Sequence, residues 1–212
     1  MATFNNGING GFTGKAGSVI AYQLHGKWVM KGMPKPSAKN KRGTTSQKAC
    51  RCAFTKMQTF LSPLIDFIRV DFNLESKSRQ MTAHNAAKSY NMLNAQNENS
   101  EIDYSKVRLT FGNLIGAENP NVTKDNVGFH FSWTNNSSEN YIRKTDQVML
   151  VAYDVLHEKA IYLLSGARRQ KGMESLQIPT HLKGNEFHTW ISFISDDRES
   201  IAMSTYTGSY IF

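Results

Sequence analysis

The chain has 212 residues, 40% of them hydrophobic and 11% aromatic, which is enough to build a core without disulfide or metal staples and too apolar for a disordered chain. No stretch approaches the ~20 apolar residues that a membrane helix needs, and the opening Met-Ala-Thr-Phe-Asn-Asn-Gly lacks both the charged and the apolar region of a secretion signal, so a cytoplasmic protein is expected, with non-classical export or carriage in a particle still compatible. The net charge of +8 is concentrated: residues 1–65 hold ten bases (Lys15, Lys27, Lys31, Lys35, Lys39, Lys41, Arg42, Lys48, Arg51, Lys56) and no acid, while the rest of the chain holds 15 bases against 17 acids. That asymmetry implies an anionic partner or an acidic surface on a neighbouring subunit.

The first segment, 1–43, reads as a basic, glycine-rich arm. Gly7, Gly10, Gly11, Gly14 and Gly17 are too dense for a helix and too irregular for a repeat. Residues 18–24 alternate Val19, Ala21, Gln23 against Ile20, Tyr22, Leu24, and after His25-Gly26 comes Lys27-Trp28-Val29-Met30-Lys31, a β-hairpin pattern with its turn at the glycine. A two-stranded hairpin is marginal alone, so it must pack on its own domain or on another copy. Gly14-Lys15 imitates the end of a phosphate loop, but Gly10 is four rather than five residues away and Ala16 replaces the magnesium-binding hydroxyl. Residues 32–43, with two prolines and four bases, form an extended linker.

The segment 44–100 reads as helical. Thr44 or Thr45 can cap a helix with Ala49, Ala53, Met57, Phe60 and Leu61 on one face. Cys50 and Cys52, two apart, would point to opposite sides of it, making neither disulfide nor chelate and fitting two small buried hydrophobes. Ser62-Pro63 restarts the helix, with serine as cap, and Leu64, Ile65, Phe67, Ile68 and Phe72 make an apolar second piece. After a polar break at 73–78, Met81, Ala86, Tyr90 and Leu93 predict a third helix over 79–95. These helices are expected to dock on a sheet rather than form a core of their own.

From 101 to 212 the pattern is β. Strands are predicted at 106–114, 127–133, 147–155, 159–164, 174–178, 186–195 and 202–206, separated by turns such as Asn119-Pro120-Asn121, 134–139 and 196–198. The runs 147–155 and 186–195 are apolar on both faces and form the natural central pair. Seven short strands suit an immunoglobulin/fibronectin-like β-sandwich, so the predicted class is α+β: a hairpin arm and short helices followed by that sandwich. Trp133 and Trp190 are expected core anchors, each with an indole N–H that needs a partner.

Several stretches carry a likeness: Ile-Asp-Tyr-Ser-Lys-Val-Arg-Leu at 102–109, Gly112-Asn-Leu, Asp-Gln-Val-Met-Leu-Val-Ala-Tyr at 146–153, Gly-Ala-Arg-Arg at 166–169, 187–195, and Ser-Thr-Tyr-Thr-Gly at 204–208. With Gly14-Lys-Ala-Gly17, residues 26–31, 44–47 and 86–90, they make the chain resemble, nearly end to end, a bacterial family of about 200 residues known only as a domain of unknown function. One departure is that the family's Gly-Lys-x-x-x-Arg pattern ends here in Lys31, which keeps the charge and loses the planar fork. The resemblance implies a shared architecture and brings no catalytic residue with it.

No enzyme is expected. The histidines His25, His84, His130, His157, His181 and His188 are scattered without metal-ligand spacing, and there is no Gly-x-Ser-x-Gly elbow, so catalytic, cofactor and metal sites are all read as none. The favoured function is structural: a self-assembling protein, in a homo-oligomer or filament, whose basic arm packs on a β-sandwich of its own or a neighbouring subunit. Its contact residues are Lys15, Tyr22, Lys27, Trp28, Met30, Lys31, Lys39, Lys41 and Arg42. The same set supports a second reading, nonspecific nucleic-acid binding, although eight lysines to two arginines supply few of the forks that read bases. A third reading places a ligand or glycan at sandwich loops around Arg168 and Arg169. Neither a membrane nor a small-molecule substrate is indicated.

Overall fold

The structure, a computed structural model, describes residues 2–3, 11–35, 43–72, 80–97, 99–137 and 144–212. They fall into two compact units, Met1–Lys48 and Ala49–Phe212.

In the first unit, β1 (Ala2–Thr3), β2 (Gly14–Ala16), β3 (Val19–Leu24) and β4 (Lys27–Gly32) form one antiparallel sheet in the order β1-β4-β3-β2. The predicted hairpin is β3–β4, with Leu24 paired to Lys27. His25 (φ 47°) and Gly26 (φ 77°) are both left-handed, the primed turn whose twist matches two-residue hairpins. Trp28 lies against Gly11, where an added Cβ would sit 2.1 Å from the indole Cε2. The register puts Lys15, Ile20, Tyr22, Leu24, Lys27, Val29 and Lys31 on one face, and Val19, Ala21, Gln23, Trp28 and Met30 on the other.

Helix α1 (Thr45–Leu61) begins at a reciprocal cap: the Gln47 N–H donates to Thr44 Oγ1 at 3.2 Å, and the Thr44 N–H donates to Gln47 Oε1 at 3.0 Å. Its buried residues are Met57, Phe60 and Leu61. Ala49 is exposed, and so are Cys50 and Cys52, contrary to expectation; only the last turns of this helix reach the core. Ser62–Leu64 is a 3₁₀ turn with Pro63 at its start and no side-chain cap, leading into α2 (Ile65–Asp71). Leu64, Phe67, Ile68 and Phe72 are buried as predicted. The polar break at 73–78 lies outside the described residues.

In α3 (Ala83–Asn94), Thr82 Oγ1 accepts the Asn85 N–H at 3.3 Å. The predicted apolar stripe is only partly right: Ala86 is buried, but Leu93 is 81% exposed and the inward face is completed by Ala87 and Asn91. The reason is a polar grip. Asn91 Nδ2 donates to the Arg108 carbonyl at 2.8 Å, and the Arg108 N–H donates to Asn91 Oδ1 at 2.8 Å, so the asparagine acts as a strand partner for the chain at 108.

Seven strands of the second unit, among the described residues, form two antiparallel sheets. They are β5 (Glu118–Lys124), β6 (Gly128–Thr134), β7 (Gln147–Asp154), β8 (Lys159–Leu163), β9 (Met173–Gln177), β10 (Glu186–Ile194) and β11 (Thr205–Ile211). The larger sheet runs β11-β10-β7-β8 and the smaller β5-β6-β9. The two runs that are apolar on both faces pair along their length, from Phe187 with Asp154 to Ile194 with Gln147. One face supplies Val148, Leu150, Phe187, Ile191 and Phe193 to a cluster shared with Phe129, Phe131, Trp133 and Leu176 of the smaller sheet. The other supplies Met149, Val151, Tyr153, Trp190 and Ile194 to a cluster shared with Met57, Phe60, Leu61, Phe67 and Ile68 of the helices. The class is therefore mixed α+β, with helices and sheets sharing the core of one unit. No helix among the described residues is long and apolar enough to cross a membrane.

Three strand assignments need correction. Residues 106–114 form no strand: a 3₁₀ turn at Tyr104–Lys106 leads into an extended run whose backbone is held by the side chains of Asn91 and Ser204 (Leu109 N–H to Ser204 Oγ, 2.9 Å). The supposed turn Asn119-Pro120-Asn121 lies inside β5, an edge strand that tolerates proline and absorbs it in a register shift between Glu118 and Asn121. The last strand lies later than 202–206, with Ala202 contributing only single bridge pairings to Leu114.

Candidate functional site

The contact residues proposed on the arm separate into two sets. Lys15, Lys27 and Lys31 share a face with Tyr22, and Lys31 Nζ lies 5.3 Å from the Tyr22 ring centroid. Trp28 and Met30, both half-buried, belong to the opposite face. Lys39, Lys41 and Arg42 lie outside the described residues.

The two loop arginines also part company. Arg168 is exposed. Arg169 is buried, and its guanidinium donates to Asp146 Oδ2 (3.1 Å), the Ile115 carbonyl (2.7 Å), the Gly116 carbonyl (3.1 Å) and Asn136 Oδ1 (2.8 Å). A group committed to that many internal acceptors has no fork left for a ligand, so the expectation of loop binding at Arg169 is corrected to an internal role.

Two histidines serve turns. Asp154 Oδ1 accepts the N–H groups of Leu156 (2.9 Å) and His157 (3.3 Å), while its Oδ2 lies 2.7 Å from His157 Nδ1 and accepts from Asn185 Nδ2 at 2.8 Å. Asp125 repeats the device in the β5–β6 turn: Oδ1 accepts from Val127 and Gly128, and Oδ2 lies 2.6 Å from His130 Nε2. The His130 contact, then the two N–H groups, hold the Asp125 carboxyl down at about 2. Among the described residues no group of three His, Cys, Asp or Glu is placed to hold a metal.

Beside the helical layer, a cleft of about 540 Å³ opens between the later turns of α1, the segment at 101–104 and the β7–β8 turn. Its walls include Phe60, Ile102, Tyr104 and Tyr153, with Glu101 and Glu158 among its polar lining. The rings pack edge to face, Phe60 to Tyr153 at 4.8 Å and Phe60 to Tyr104 at 5.6 Å between centroids. Behind them His188 stacks on Tyr104 at 3.9 Å, and its Nδ1 lies 2.8 Å from Tyr206 Oη. None of these residues was singled out from the sequence as a site. Glu101 and Glu158 are far apart in the chain, and only the docking of α1 on β7 brings their surroundings together.

His188 gives the layer a pH dependence. Burial holds its pKa below the ordinary 6.5, opposed by Glu186; His84 is lowered too, by burial and by Lys88 and Arg69. A histidine whose pKa is lower folded than unfolded takes its proton first in the unfolded chain, so stability is full above 6.5 and is lost as pH falls below it. The urea midpoint should therefore fall as pH is lowered from about 7 to about 5, and a chain carrying His84→Gln and His188→Gln should show a flatter fall over the same window.

A second open groove, about 710 Å³, lies between β8 and β9, with Ile161, Leu163 and Leu176 in its wall. These are edge strands of the two sheets.

Comparison with known proteins returns no curated relative and no solved structure that matches. The family model described as a family of unknown function, DUF6266, matches residues 11–208 of the 212, and the chain belongs to that family.

Proposed function

We propose that the protein is a non-enzymatic assembly protein in which the N-terminal sheet of one copy packs by its apolar face on the sheets of a neighbouring copy. The observation that carries the reading is where the charge falls on that sheet: Val19, Ala21, Gln23, Trp28 and Met30 on one side without a charge, and all three lysines on the other, among Ile20, Tyr22, Leu24 and Val29. An apolar face free of charge suits a protein interface, whose centre is depleted of lysine and enriched in Trp and Met. The matching surface is the groove between the edge strands β8 and β9, with Ile161, Leu163 and Leu176 in its wall.

We read the two sheets themselves as an immunoglobulin/fibronectin-like sandwich. In support, the smaller sheet joins the first, second and fifth strands of the unit and the larger joins the seventh, sixth, third and fourth, all antiparallel and with one shared core between them. Both cysteines lie in α1, so no inter-sheet disulfide belongs to this version.

The nucleic-acid reading draws on Lys15, Lys27 and Lys31 and is weaker because Trp28, the best stacking ring, is on the opposite face and Tyr22 already lies beneath Lys31. A loop-ligand reading retains only Arg168.

Light scattering separates the possibilities. The full chain should exceed the mass of one protomer, and both a chain starting at Thr44 and a full chain carrying Trp28→Glu with Met30→Glu should run as monomers, while Lys15→Gln, Lys27→Gln and Lys31→Gln together should leave the mass unchanged. A monomeric full chain defeats the reading. A DNA band shift that weakens with salt and is abolished by the three lysine changes would put nucleic-acid binding in its place.

A further inference from the structure

We propose that the cleft bounded by Phe60, Tyr104, Tyr153, Glu101 and Glu158 is a binding site for an ammonium group carried on an apolar stem. The inference is independent of the assembly reading, because it rests only on residues of the second unit.

The cleft's volume of about 540 Å³ is that of a small-molecule site, and its composition follows the usual division into an apolar wall and a few polar groups that fix orientation. Phe60, Ile102 and Val155 provide the wall. Glu101 and Glu158 provide the charge, and neither carboxylate makes an ion pair with a described lysine, arginine or histidine. The tyrosines register the same sign of field. Burial, then Glu158 and Glu186, raise the Tyr104 hydroxyl above its ordinary range; burial, then Tyr104, Glu158 and Asp154, raise that of Tyr153. The charged side chains that raise the two hydroxyls, after burial, are Glu158, Glu186 and Asp154, all acidic, which adds to the two lining carboxylates a field that favours a cation.

The backbone at Glu158 points the same way. It is left-handed, with φ 52°, a conformation that glycine or asparagine adopts more cheaply than glutamate. The turn is nevertheless held in shape by Asp154, which takes the N–H groups of Leu156 and His157. A carboxylate is thus kept beside the cleft at a local cost in stability, the pattern of a position that serves binding. Lys56 also lines the cleft and competes with the guest for the same field, so its removal is a second handle.

The ammonium can arrive on a small quaternary ammonium compound or on the lysine side chain of a polypeptide, and two probes distinguish the sources: choline, and N-acetyl-lysine methylamide. Each is titrated into the full chain by NMR, following tyrosine ring protons, beside its uncharged counterpart, 3,3-dimethylbutanol or N-acetyl-norleucine methylamide. At least one cation should give saturable shifts, with the counterpart weaker by about tenfold or more. Glu101→Gln with Glu158→Gln should weaken the cation by about five- to tenfold, as expected for losing two partly solvated charge contacts, and Lys56→Gln should tighten it. Glu158→Gly should raise the unfolding midpoint while weakening binding, which separates a binding role from a structural one. Saturation by neither cation, equal binding of the uncharged counterpart, or indifference to the two glutamine changes would each overturn the proposal. If lysine alone binds, the guest is a polypeptide side chain; if choline alone, a small quaternary ammonium compound. A change in oligomeric mass decides nothing here, so this proposal and the assembly reading fail separately.

Discussion

Replacing Arg169 by alanine should cost about 3–5 kcal/mol, the range for stripping one partner from a buried ion pair, and with domain stabilities of about 5–15 kcal/mol that is about a fifth of the total or more. Arg169 is 1% exposed and Asp146 0%, so the carboxylate would lose its guanidinium partner where water does not reach it. The loss extends further. The guanidinium joins Asp146, at the entry to β7, to the carbonyls of Ile115 and Gly116 and to Asn136, and its carbon lies 3.8 Å from the Phe193 ring centroid. It therefore holds the chain before β5, the chain after β6 and the entry to β7 in one place. Arg169→Lys should recover little, because a single ammonium cannot reach four acceptors in the plane of a fork. Arg169→Met with Asp146→Leu should be milder than Arg169→Ala alone, since the two charges of the pair go together, while the Ile115 and Gly116 carbonyls and Asn136 still lose a donor. Urea midpoints at constant slope measure all three; a loss below about 1 kcal/mol for Arg169→Ala, the level of an ordinary surface pair, would remove this residue from the role.

Arg169 also shows where the sequence stops being informative. Beside Arg168 it reads as half of an exposed basic pair, because the partners that bury it come from 115–116, 136 and 146, and no local spacing announces them. Residue 91 is similar. A helical stripe predicts Leu93 inward, yet Asn91 wins the inner face because it satisfies both backbone groups of Arg108, a hydrogen-bond requirement that hydropathy does not count. The same bonds explain why 106–114, with good strand composition, forms no strand. Elements governed by local rules were legible: the β3–β4 turn from His25-Gly26, a helix cap at Thr44 or Thr45, and the central pair β7–β10 from apolar residues on both faces. Proline misled at β5, where an edge position removes its penalty. The cleft was illegible because its carboxylates are ordinary turn and loop residues until α1 meets the sheet.

The two core tryptophans should answer the same substitution to different extents. Both were expected to need a partner for the indole N–H, and only one has it. Trp133 Nε1 donates to the Arg169 carbonyl at 2.8 Å, whereas Trp190 Nε1, in a side chain 1% exposed, has no hydrogen-bond acceptor among the described residues. A buried donor without an acceptor costs about 1–3 kcal/mol. Trp190→Phe should return that cost while losing some ring area against Phe60, Tyr104 and Tyr206, leaving stability within about 1 kcal/mol of the parent. Trp133→Phe removes a satisfied bond and loosens the Arg169 backbone that the buried pair depends on, so about 2 kcal/mol or more should be lost. Alanine at either position should cost about 3–5 kcal/mol, since both rings fill core. The informative quantity is the difference between the two phenylalanine variants in urea midpoint. If Trp190→Phe proves as damaging as Trp133→Phe, the indole N–H of Trp190 has an acceptor in solution, and the helical layer over β10 packs differently from the arrangement described.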